Sequence, residues 1–149
     1  MKKSILIAGA VLATVGVLFF SIPKPVKAQA VCDATAVTGP YAYTLAGEVY
    51  DNQGYVYYLA ANGILNGDGA GNFSGGDTLS LDGSISKRKY TGTYTINADC
   101  TGSAHMNISD GTSLGTGANY DLVLTDTGKQ LNMIQTDSSF IFSGTAKKQ

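Results

Sequence analysis

The chain has 149 residues, with ten Lys and Arg against eleven Asp and Glu, one His, two Cys, nine Tyr and no Trp. One histidine excludes a multi-histidine metal centre, and the near-neutral balance without a long basic tract gives no electrostatic footprint for nucleic acid. Nineteen glycines among β-branched and aromatic residues argue for short strands and tight turns rather than helices.

The first thirty residues are of another kind. Lys2 and Lys3 precede an apolar run from Ile5 to Phe20, then "SIPKPVKAQA", which ends in the small-x-small triplet Ala28-Gln29-Ala30. This is the pattern of a secretory signal peptide, with cleavage expected after Ala30 or Ala28. The sixteen apolar residues fall short of the roughly 20 that span a bilayer as a helix. Val31 before Cys32 lacks the small side chain that lipid attachment to a cysteine requires. The expected product is a secreted or periplasmic domain, residues 31–149, of 119 residues. Four of the ten basic residues lie in the leader, so six face eleven acidic ones, a net charge of −5. Such a surface repels phosphate backbones, so no nucleic acid partner is expected. In an oxidising compartment Cys32 and Cys100 are expected to form a disulfide.

From there the chain reads as eight extended segments. The first is Tyr41–Tyr50, ending at "DNQG", and the second is Tyr55–Asn66, ending at "GDGAG". The third, Asn72–Leu81, is closed by Asp82-Gly83, a hairpin signal because both positions accept positive φ. The fourth, Ser84–Ile96, is expected to bend or bulge near Lys87-Arg88-Lys89, a triplet read as a solvated turn or strand edge. The fifth is Gly102–Ser109, followed by an expected turn at Asp110-Gly111. Tyr120–Thr125, Gln130–Thr136 and Phe140–Lys147 complete the set. Eight strands joined by tight turns predict an all-β fold, a single antiparallel up-and-down β-barrel. Closure removes exposed edges; a two-sheet β-sandwich is the structural alternative.

Alternation assigns faces. Tyr90, Gly92, Tyr94 and Ile96 share one side of the fourth strand and Thr91, Thr93 and Thr95 the other. Ala104, Met106 and Ile108 group in the fifth, Tyr120, Leu122 and Leu124 in the sixth, Phe140, Phe142 and Ala146 in the eighth. The second strand is apolar on both sides, with Tyr55, Tyr57 and Leu59 on one and Val56, Tyr58 and Ile64 on the other. Two buried faces are therefore expected there, through a subunit contact or an overlying N-terminal segment. The polar second faces, rich in Thr, Ser, Asn and Lys, argue against a membrane-spanning barrel, whose outer band is apolar. "GNFSG" and "GTYT" each place an aromatic two residues from a glycine, as expected where a ring needs room in a tightly curved barrel.

The chemistry on offer is sparse. His105 falls on the polar face with Ser103 and Asn107, without a visible orienting partner. Glu48, the only glutamate, groups with Ala42, Thr44, Ala46 and Tyr50 on the less apolar side, and Asp77 sits within a strand beside Thr78. Glu48, Asp77 and His105 are the first catalytic candidates if the protein is an enzyme, because a carboxylate inside a barrel can do acid–base work. No Gly-x-Ser-x-Gly elbow occurs, and "GDGAGN" lacks the spacing of a phosphate loop or a helix-loop-helix calcium site, so neither cofactor nor metal is expected. Tyr41, Tyr43, Tyr57, Tyr90, Tyr94 and Tyr120 can all fall on apolar faces. They either line a pocket for a small hydrophobic or aromatic ligand or fill the barrel outright, and an eight-stranded barrel is the size at which both outcomes occur.

At "GAGNFSG", "TGTYTINADCTG" and "GTAKKQ" the chain resembles a group of small exported bacterial proteins of uncharacterised function. In size and strand count it also resembles calycin-type barrels, including the allene oxide cyclase and dirigent-like group. These motifs are turn-and-strand patterns, and no catalytic residue of those enzymes maps onto a position here. The resulting expectation is a non-catalytic binding or structural protein. A cyclase- or isomerase-type barrel enzyme and a self-associating extracellular subunit are the alternatives.

Overall fold

The computed structural model describes residues 32–109 and 116–149. The expected leader and its cleavage site, and the expected turn at Asp110-Gly111, lie outside the described residues. Eight strands follow in order: β1 Thr38–Tyr50, β2 Val56–Asp68, β3 Asn72–Leu81, β4 Ser84–Ile96, β5 Thr101–Ile108, β6 Gly117–Thr125, β7 Gln130–Gln135 and β8 Phe140–Lys148. Each is antiparallel to its neighbours, and β8 pairs back onto β1 from Tyr41↔Lys148 to Val49↔Phe140. That last ladder closes the barrel and excludes the two-sheet alternative.

The turns form because short polar side chains take over the work of backbone acceptors. Asp51 Oδ1 accepts the amides of Gln53 and Tyr55, and Asp68 Oδ1 those of Ala70 and Asn72. Asp82 and Gly83 both have positive φ, 46° and 85°, as a two-residue hairpin between right-twisted strands demands. In the β4–β5 corner, Asp99 Oδ1 accepts the amide of Thr101.

Inside, alternation sends every second residue into one core: Tyr41, Tyr43, Leu45 and Val49 from β1, Leu59 and Ala61 from β2, Tyr90 and Tyr94 from β4, Tyr120, Leu122 and Leu124 from β6. Glycine makes room for the rings. Phe73 lies directly opposite Gly92, and a Cβ on Gly92 would stand 2.3 Å from both Phe73 Cζ and the His105 carbonyl oxygen. Only a residue without a side chain lets the ring lie flat there.

One end of the barrel is closed by the segment before β1. A single 3₁₀ turn, Ala34–Ala36, is capped by Asp33, whose carboxylate accepts the Thr35 amide at 2.9 Å. Two tyrosines rise to meet it. The Tyr94 hydroxyl lies 2.9 and 3.0 Å from the carbonyl oxygens of Ala34 and Val37. The Tyr41 hydroxyl donates to the Gly128 carbonyl at 2.6 Å and lies 3.1 Å from that of Ala36. The Cys32–Cys100 disulfide then ties this plug to the β4–β5 corner.

Two expectations need correction. The β3–β4 ladder runs from Asn72↔Thr93 to Leu81↔Ser84 without a skipped residue, so β4 carries no bulge in this pairing. The second strand is not buried on both faces: Leu59 and Ala61 point inward, whereas Val56, Tyr58 and Ile64 are 40%, 66% and 41% exposed. The plug covers the barrel end rather than this wall, which leaves that face open.

Candidate functional site

Five of the six tyrosines singled out from sequence, Tyr41, Tyr43, Tyr90, Tyr94 and Tyr120, are buried in the barrel. Tyr57 is half-exposed, at the end of the barrel away from the plug, with its hydroxyl 3.3 Å from Asp51 Oδ2. The interior rings contact one another: Tyr43 and Tyr90 have centroids 6.3 Å apart, and Phe73 and Tyr90 6.1 Å with an edge-on approach. They form a tilted stack across the barrel, a favourable arrangement for ring quadrupoles.

Of the three acid–base candidates, only Asp77 points inward. Its side chain is fully buried and receives Arg88 in two-pronged fashion, Nε to Oδ1 at 2.8 Å and Nη2 to Oδ2 at 2.5 Å. Oδ2 also accepts the Tyr43 hydroxyl at 2.6 Å. Arg88 and Asp77 are paired residues on β4 and β3, so the ladder sets the fork directly against the carboxylate. Burial pulls the guanidinium toward its neutral form, but the hydrogen bonds and charge of Asp77 outweigh it and leave its pKa raised. Burial first, then Tyr90 and Asp77, push the Tyr43 phenol far above its ordinary value; burial does the same at Tyr90 and pushes Tyr120 up to about 12. These rings are neutral at any physiological pH.

This corrects the reading of Lys87-Arg88-Lys89 as a solvated turn or edge. The triplet lies in the middle of a strand, with the lysines outside and Arg88 inside, 8% exposed. Sequence held the signal: Tyr90 and Tyr94 place even-numbered positions of β4 inward, and Arg88 is next in that series. Gln135, buried opposite Tyr120, was also missed.

Glu48 faces outward, as its neighbours implied, and its Oε2 accepts the Tyr50 hydroxyl at 2.9 Å. His105 stands exposed on the outer wall, Nδ1 2.8 Å from Asn119 Oδ1 and Nε2 3.2 Å from Asn107 Oδ1. The three candidates therefore share no site. Asp68 in "GDGAGN" spends its carboxylate on its own turn, with Oδ2 accepting the Asn72 side-chain amide at 2.7 Å. Among the described residues, no cluster of three or more His, Cys, Asp or Glu is placed to hold a metal ion.

Among the described residues the interior is filled. One void, lined by Val37, Phe73, Tyr94, Met106, Tyr120 and Leu122 among others, measures about 30 Å³, and another beside Arg88, Tyr120 and Gln135 about 20 Å³. Pockets that enclose a small organic molecule run to roughly 300–1,000 Å³. Each void is the size of a water molecule or two. No protein-family model, curated protein or solved structure matches the chain.

Proposed function

We propose that this is an exported, non-catalytic β-barrel that works through its outer wall, as a structural or binding module, rather than by carrying a ligand inside. The observation that carries this reading is the filled interior: the tyrosines close the plug, order Asp77 or stack on one another. Asp77 has its oxygens committed to Arg88 and Tyr43 and faces no space for a substrate, which removes the support for a cyclase-type enzyme. The likeness to calycin-type barrels is therefore one of strand count and closure. The disulfide suits an oxidising compartment, and no described helix is long and apolar enough to cross a membrane.

The outer wall favours a specific version of this reading, the self-associating subunit. Across six strands the outward residues Ile134, Ser143, Ala46, Ala60, Ser80 and Ile85 stand side by side in ladder register. They form a low shelf of small side chains between two isoleucines 51% and 63% exposed. One row above, Ile141, Glu48 and Tyr58 are aligned, with Ile141 59% and Tyr58 66% exposed. A flat shelf beside projecting apolar side chains is self-complementary under a two-fold axis, and contiguous exposed apolar patches mark contact surfaces.

Light scattering on the purified protein, with native mass spectrometry on the same sample, tests both levels. The expected result is a ligand-free oligomer that becomes monomeric in Tyr58→Lys/Ile141→Lys, with the far-ultraviolet circular dichroism of the barrel unchanged and a midpoint lowered only by the lost association. A wild-type monomer at the highest soluble concentration rejects the subunit. A hydrophobic molecule retained through purification rejects the filled-interior reading itself.

A further inference from the structure

The outer wall carries a second feature, directly beside the apolar shelf, since Asn62, Thr78 and Lys87 form the next outward row after Ala60, Ser80 and Ile85. A trough of about 430 Å³ runs over β2, β3 and β4, flanked by the side chains of Asn62, Ile64, Thr78, Lys87 and Lys89. Its floor is Gly76. On an outward strand position a side chain would stand up from the sheet; here Gly76 leaves a slot one residue wide. Ile64 is its ladder partner on one side and Lys89 on the other. Gly76 does not have the positive φ that would restrict the position to glycine, and a Cβ there would approach only the Arg88 carbonyl oxygen, at 2.9 Å, so outward the slot is open.

The electrostatics of the slot run against the rest of the chain. The expected mature domain has a net charge of −5, yet Lys87 and Lys89 project on the same face two residues apart, about 7 Å along a strand. The one ion pair among the described residues is Arg88–Asp77, so neither lysine has a carboxylate within salt-bridge reach there. Their ladder partners, Thr78 and Gly76, are uncharged. Asn62 is the β2 partner of Thr78, which places an amide, a hydroxyl and the Lys87 ammonium in one row across three strands. Among the described residues the side chains of Asn62, Thr78, Lys87 and Lys89 make no hydrogen bond; the Ser109 hydroxyl donates only to the Lys89 backbone carbonyl, at 3.0 Å. Ile64, 41% exposed, supplies an apolar flank.

We propose that this slot binds a compact oxyanion ester, a phosphorylated or sulfated sugar-like group. The anion sits over Gly76 against the two ammonium groups of the β4 rim, hydroxyls reach Asn62 and Thr78, and the apolar face of the ring rests on Ile64. Two ammoniums along one rim of an open floor attract a tetrahedral oxyanion, and the row of amide and hydroxyl beside them matches a polyol. The site lies outside the Asp77–Arg88 pair and does not require self-association.

The test is an amide-shift titration by NMR with four probes: a hexose 6-phosphate, a hexose 6-sulfate, the unmodified hexose and inorganic phosphate. Either ester should shift the amides of Ile64, Gly76, Thr78 and Lys89, weaken as salt rises through the range where exposed charges are screened, and bind more tightly than inorganic phosphate. The unmodified hexose should do nothing. Lys87→Ala/Lys89→Ala, which touches only exposed side chains, should lower ester affinity about tenfold, as expected for two solvent-exposed charge contacts, with an unchanged unfolding midpoint. Silence with both esters overturns the proposal, as does equal binding by the double variant. Inorganic phosphate binding as tightly as the esters overturns the assigned ligand class.

Discussion

Replacing Arg88 by Met is the most informative perturbation of this molecule. It removes the cation but keeps the length of the side chain, leaving the Asp77 carboxylate fully buried with only the Tyr43 hydroxyl at 2.6 Å as a donor. Deleting one partner of a buried pair costs about 3–5 kcal/mol, because the survivor keeps its desolvation penalty without the compensating charge. In a domain of this size about 4 kcal/mol lowers the thermal midpoint by roughly 15 °C, and it moves the urea midpoint by roughly 2 M. Replacing the whole network, as Tyr43→Phe/Asp77→Leu/Arg88→Met, removes the charges and the orphaned hydroxyl together. That variant should lie within about 1–2 kcal/mol of the wild type, since apolar isosteres of buried pairs are often neutral or better. The assay is urea unfolding followed by far-ultraviolet circular dichroism, with the slope m checked for constancy across variants. If Arg88→Met costs under about 1 kcal/mol, or the triple variant is as unstable as Arg88→Met alone, then Asp77 and Arg88 do not form a closed buried pair and the account of the interior is wrong.

Two more outcomes follow from the same structure. Removing the disulfide as Cys32→Ala/Cys100→Ala opens a loop of 68 residues and should cost about 4 kcal/mol in chain entropy; a loss under about 1 kcal/mol in urea unfolding would mean that the plug holds without its covalent tie. The buried tyrosines make the fold alkali-sensitive. Burial raises the folded-state pKa of Tyr43, Tyr90 and Tyr120 above the usual 10, with Tyr120 pushed up to about 12. Their stabilisation is therefore complete below pH 10 and is lost as pH rises from 10 through 12 and beyond, with Tyr120 alone accounting for roughly 3 kcal/mol. Absorbance at 295 nm should show a late ionisation step coincident with loss of the strand signal. A smooth titration completed by pH 11 with the barrel intact would refute it.

The barrel was legible in the sequence because its signals are local and redundant. Asp-Gly at 82–83 fixes a hairpin by backbone conformation alone, and Phe73 against Gly92 shows as an aromatic near a glycine in each strand before any pairing is known. The interior tyrosines followed from alternation for the same reason. What could not be read was whether those rings surround a space, since that depends on how rings from β1, β4 and β6 meet across the barrel. Arg88 was misplaced because a run of three basic residues reads as solvated when composition is weighed before period. Glu48 and His105 were placed outside because the apolar residues that alternate with them, Leu45 and Val49 in β1 and Met106 and Ile108 in β5, take the interior.

The register of β3 against β4 links the inside of the barrel to its outside. Three consecutive basic residues on a strand must split between its faces, and the ladder decides which of them enters. With Asp77 opposite Arg88, one guanidinium goes in and finds a carboxylate, while two lysines go out beside the uncharged Gly76 and Thr78. A slip of one residue would instead bury Lys87 and Lys89 and expose Arg88, setting two ammonium groups in an apolar core with at most one acid to meet them. The desolvation of a second charge, several kcal/mol even after relaxation, is what forbids that pairing. The triplet thus selects a single register, and the same selection that neutralises the interior leaves two lysines beside the Gly76 slot with no acid partner among the described residues. On this argument the fold-defining ion pair and the anion-binding face have one cause. Exchanging Asp77 and Gly76 in the sequence, which moves the acid to the outer face, should abolish both at once.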